Sequence, residues 1–108
     1  MKRVLPVRIP VYINAELISG GKSYNGVIGN LSEKGVFVET DPTKTAVPFL
    51  PGKKLKLKFE ESPENILNLN CEVVWLYTKK ISSQGLTNSM GLDIRNSSSK
   101  YKKYFQFL

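Results

Sequence analysis

Asn30, Ser32 and Gly35 fall in the stretch Asn30-Leu31-Ser32-Glu33-Lys34-Gly35 and combine a carboxamide, a hydroxyl and a residue without a side chain. In an extended segment the first two, two positions apart, project from the same side. The amide brings donors and an acceptor and the hydroxyl one of each kind, which is enough to read one edge of a planar base. Gly35 can take a positive φ or let a flat ligand come close to the backbone. Arg8 stands 22 residues before Asn30, and Lys2 and Arg3 open the chain. Arginine suits phosphate oxygens and the O6/N7 edge of guanine alike. By itself N-x-S-x-x-G also describes a polar turn with a glycine bend, and its match to a glycosylation acceptor has no meaning in a cytosolic protein.

Other chemistry is poorly supplied. The 108 residues contain no histidine and one cysteine. There is no Cys/His set for zinc, no internal disulfide, and no G-x-S-x-G, P-loop or paired-carboxylate signature. Catalysis would have to rest on a lysine or aspartate base, so the expectation is a binding protein and not an enzyme. Glu60, Glu61 and Glu64 cluster near a turn and read as a solvated rim, not a metal site. The net charge of +7 favours anionic partners such as nucleotides, nucleic acid or acidic protein surfaces. The apolar runs are far shorter than the ~20 residues of a membrane span, and no apolar signal core follows Met1, so the expected location is cytoplasmic.

The elements that would position these residues are mostly strands. Val7, Ile9, Val11, Ile13, Ala15 and Leu17 alternate with polar residues, which turns Arg8 outward, while Pro10 places that stretch at an edge or barrel seam. A second strand from about Tyr24 to Gly29 turns through Asn30 to Gly35 into a third, Val36 to Thr40. A proline-bearing loop from Asp41 to Gly52 precedes a strand in which Leu55, Leu57 and Phe59 alternate with lysines. Leu67, Leu69, Cys71, Val73, Trp75 and Tyr77 share one face of a strand long enough to bend and serve two parts of a barrel, with Cys71 and Trp75 assigned to the core. Met90, Leu92 and Ile94 mark the last strand. The period then changes: Ser97, Ser98 and Ser99 offer an N-cap, and Tyr101, Tyr104, Phe105 and Leu108 form the stripe of a helix within 98–108. The prediction is a single all-β domain, a six-stranded antiparallel barrel with a short C-terminal α-helix and a flexible basic segment over 1–6.

Basic residues before the first strand, outward Arg8 followed by Ile9-Pro10-Val11, and Asn30-x-Ser32-x-x-Gly35-Val36-Phe37-Val38 together resemble the PilZ domain family. Pro51-Gly52, Glu72-Val73-Val74-Trp75 and Met90-Gly91-Leu92-Asp93-Ile94 follow in the family's order, so the likeness extends over nearly the whole chain. The resemblance implies a barrel that binds the bacterial second messenger cyclic di-GMP on its outer face, with no other cofactor. Paired arginines would clasp guanine and phosphate, and Asn30 and Ser32 would contact a guanine, with Gly35 giving clearance. Arg8 takes the place of the second arginine. The family's R-x-x-x-R pattern asks for arginine at position 4, where this chain has Val4 and places Arg3 one residue early. Lys2 and Arg3 are therefore the candidates for the missing contact.

The resulting expectation is a cyclic di-GMP receptor that relays the signal to a downstream protein partner, with ordering of the amino-terminal segment as the switch. Val4 motivates the alternative of a PilZ-type adaptor that works through protein contacts without ligand. A third reading, an oligonucleotide binder using Lys54, Lys56 and Lys58, is disfavoured because that strand lacks interleaved aromatics for base stacking, and no DNA or RNA partner is expected.

Overall fold

The structure is a computed structural model that describes residues 7–44, 47–81, 83, 85–96 and 98–108. Six strands form in sequence order: β1 Ile9–Ser19, β2 Lys22–Leu31, β3 Gly35–Thr40, β4 Lys54–Ser62, β5 Asn65–Ile81 and β6 Gly85–Ile94. They pair antiparallel in the order β1-β2-β3-β6-β5-β4, and β4 returns to β1 to close the ring. Closure follows from the period-two apolar pattern, because each strand has one face to bury and a closed sheet leaves no such face to solvent. The enclosed core is mainly aliphatic, with Leu17, Ile28, Leu31, Leu57, Leu69 and Met90 buried completely, and it also takes in Phe49, Phe59 and Tyr101.

The long strand β5 joins two halves of the ring. Residues 65–72 pair with β4, and residues from Cys71 to Ile81 pair with β6. A register shift between Val73 and Trp75 marks the bend. This bulge corrects the face assignment made from alternation. Trp75 is 43% exposed and Tyr77 is 62% exposed, while Leu76 packs against the core in their stead. One extra residue exchanges the two faces of every position that follows.

Two ends of the sequence pattern also differ from expectation. Val7 is exposed and precedes the first strand, and Leu108 is 45% exposed beyond the helix. That helix, α1, spans Ser99–Gln106 and is capped by Ser98, whose hydroxyl accepts from the Tyr101 amide at 3.1 Å. Tyr101 is its one buried residue; Tyr104 meets Phe59 edge-on and Phe105 stacks on Tyr101. No helix among the described residues is long and apolar enough to cross a membrane.

Candidate functional site

The turn between β2 and β3 is built around Ser32. Its amide and its hydroxyl both donate to the Gly35 carbonyl, at 2.9 and 3.2 Å, and its own carbonyl accepts from the Tyr101 phenol at 2.6 Å. The amide of Ile94 closes the far side by donating to the Lys34 carbonyl at 2.8 Å. Ser32 is therefore buried at 3% exposure. It does not stand beside Asn30 on an extended segment, because the chain leaves the ladder at Leu31 to make this turn. Its hydroxyl proton is engaged with Gly35, which leaves an oxygen lone pair as its free function.

Asn30 reaches the outer face for a different reason. The register shifts between Ile28 and Asn30, so Gly29 is the extra residue, and both Ile28 and Leu31 still point into the core. Asn30 is left outside, half-buried, where its Oδ1 accepts from Arg8 Nη1 at 2.7 Å. Arg8 is exposed just ahead of β1. A Cβ on Gly35 would lie 3.2 Å from the Ser32 hydroxyl and 3.8 Å from Arg8 Nη2, so the guanidinium rests over a glycine. Gly35 is absent from the described glycines with positive φ, which are Gly20, Gly21, Gly52 and Gly85. Of its two expected roles, close approach is the one it serves. Arg8, Asn30, Ser32 and Gly35 thus come together, and Lys2 and Arg3 lie outside the described residues.

The outer face continues from there along one row of the sheet. Asn30 pairs with Phe37, Phe37 with Gly91, and Gly91 with Trp75. Phe37 and Trp75 approach with ring centroids 5.9 Å apart and planes at 33°. Two glycines make room for them: a Cβ on Gly29 would sit 2.9 Å from the Phe37 ring, and one on Gly91 would overlap the Trp75 indole. The row runs from a cationic and carboxamide end to an aromatic end, across three interstrand steps of ~4.8 Å. Such a surface can hold a phosphate, hydrogen-bond a base edge and stack a ring.

Sequence reading did not place Phe37 among the candidates and assigned Trp75 to the core, whereas both lie on this outer row. The signals were present: the unbroken apolar run Val73-Val74-Trp75-Leu76 violates alternation, and glycines inside strands mark bulges or close approach.

The PilZ domain family model matches residues 3–105, and the chain belongs to that family. The fold is shared with the PilZ domain of YcgR from Escherichia coli, solved with c-di-GMP, at TM-score 0.73 and 11% identity over 97% of this chain and 87% of that one. It is also shared with the Bacillus subtilis inhibitor of motility, MotI/DgrA, at TM-score 0.72 and 15% identity over 99% of this chain and 49% of that one. The PlzA protein of Borreliella burgdorferi, in complex with c-di-GMP, gives TM-score 0.64 and 14% identity over 93% of this chain and 49% of that one. This chain thus spans about half the length of the latter two proteins. Comparison with curated protein sequences finds no match.

Proposed function

We propose that this PilZ domain binds cyclic di-GMP on the outer face of its barrel and passes the signal on through protein contacts. The observation that carries the reading is the single row in which Arg8 and Asn30 at one end face Trp75 at the other across Phe37 and Gly91. Arg8 would give two parallel charge-assisted bonds to a guanine edge or a phosphate. Asn30 would pair with the base, and Ser32 would accept through its free lone pair. Gly35 would leave room for the ligand, and Trp75 would stack on a ring. Lys2 and Arg3 would neutralise phosphate from the amino-terminal side. Two of the structurally similar proteins hold c-di-GMP, which agrees with this reading.

A second reading, an adaptor that binds partners without nucleotide, draws on Val4 and on the Arg8–Asn30 bond, which a ligand would have to replace. Isothermal titration calorimetry with cyclic di-GMP, with GTP as the control for attraction to a +7 surface, separates the two. The expected result is saturable binding of cyclic di-GMP alone, weakened in Arg8→Ala by roughly 10- to 100-fold for the loss of one charged contact. No heat at high ligand concentration would favour the adaptor.

A further inference from the structure

Tyr12 extends the outer row past Asn30. Val11 and Ile13 pack against the core, so the tyrosine between them points out of β1 and is 82% exposed. The register of β1 on β2 jumps from Pro10 opposite Asn30 to Ile13 opposite Ile28, which sets Val11 and Tyr12 against Gly29. Gly29 has no side chain, and the Phe37 ring reaches over it from β3, where a Cβ would sit 2.9 Å away. The outer wall thus carries ring and glycine in alternation over five strands: Tyr12, Gly29, Phe37, Gly91 and Trp75. Packing accounts for two of the three rings, since Phe37 and Trp75 lie against each other. It does not account for the third, because Tyr12 has no ring contact or side-chain hydrogen bond among the described residues.

The same pairing fixes where Tyr12 stands relative to the polar end of the row. Pro10 lies opposite Asn30, and Tyr12 is the next outward residue of β1, so Tyr12 and Asn30 are diagonal neighbours about 7–8 Å apart. A base bonded to Asn30 through its edge still has two flat faces to cover, and the carboxamide covers neither. Trp75 is out of reach for this purpose, three interstrand steps of ~4.8 Å from Asn30. Tyr12 is within reach and unoccupied by other contacts. The carboxylates nearest to it on this wall, Glu16 and Glu60, gather with Lys58 beyond Asn14, and a stacked base carries no charge for them to oppose.

We infer that Tyr12 is the stacking platform for the guanine whose edge Arg8 and Asn30 read, while Trp75 serves the second guanine. The inference rests on the proposed binding of cyclic di-GMP. It assigns the two identical bases of that ligand to two unlike stations: one joins a ring to an edge reader, and the other is built on the Phe37–Trp75 pair.

The test is calorimetric titration of cyclic di-GMP into the parent chain, Tyr12→Phe and Tyr12→Thr. Threonine removes the ring and keeps the strand preference of β1. Tyr12→Thr should bind roughly 5- to 150-fold more weakly, as expected for loss of one stacked base, and Tyr12→Phe should stay within about threefold of the parent. A Tyr12→Thr variant that binds within twofold of the parent, or a Tyr12→Phe variant as weak as Tyr12→Thr, would overturn the inference and leave the binding of cyclic di-GMP standing. Absence of binding by the parent would overturn the proposed function, and this inference with it.

Discussion

Gly91 has no side chain to give because the Trp75 indole occupies the place its Cβ would take. An alanine there must lift the indole off β6 and separate it from Phe37, its neighbour at 5.9 Å. Gly91→Ala is therefore expected to act on the ligand as Trp75→Ala does. Each should weaken cyclic di-GMP binding roughly 5- to 150-fold, the equivalent of ~1–3 kcal/mol for one stacked base. Calorimetric titration of both variants checks this, and wild-type affinity in Gly91→Ala would remove Trp75 from the site. At the other end of the row, Ser32 shapes the turn on which Arg8 and Asn30 depend: its amide and its hydroxyl proton are bound to the Gly35 carbonyl and its carbonyl to the Tyr101 phenol, which leaves the hydroxyl lone pair free.

Helix α1 is tied to that same turn. The Tyr101 phenol is fully buried and donates to the Ser32 carbonyl, and burial pushes its ionisation well above the ordinary tyrosine range. The neutral form that can donate is thus the one that persists. Tyr101→Phe keeps the packing and the stack on Phe105 but leaves a buried carbonyl without this donor. It should lower stability by about 1–3 kcal/mol. Urea unfolding followed by circular dichroism would show an earlier midpoint with unchanged slope; coincident curves would mean that helix and turn are not energetically coupled. Because the turn also carries the candidate ligand contacts, the helix is the element best placed to feel a ligand there.

At the scale of the whole barrel, the core contains an acid that ionises only when the fold is lost. Burial, assisted by the Asp93 charge, pushes the Cys71 thiol from 9.0 up to about 12. The sign follows from proton counting: above pH 9 the unfolded chain has released this proton while the folded chain retains it. The stabilisation is complete below pH 9 and is lost as pH rises toward 12, by up to ~1.4 kcal/mol per pH unit. Parent and Cys71→Ala should therefore diverge in urea titrations between pH 8 and pH 10.5, with the parent losing more stability. Parallel curves would show that the thiol does not contribute. Iodoacetamide should likewise label the chain only after denaturant is added, since the thiolate is the reactive form.

The strand pattern alone determined the barrel. Six period-two segments of the right length, separated by turns, each carry one apolar face, and closing the sheet buries all of those faces together. The change of period near Ser98 likewise announced α1. Arg8, Asn30, Ser32 and Gly35 were legible as a group because their types and spacing repeat a family motif, and the fold brings them together. What lay beyond the sequence pattern was which way residues face after a bulge. One extra residue at Gly29 carries Asn30 outside, and another between Val73 and Trp75 turns the tryptophan from core to surface. Alternation counts residues along one strand, whereas a bulge is fixed by the register of the neighbouring strand. The aromatic end of the candidate site therefore depended on pairing between β5 and β6, which only the tertiary structure decides.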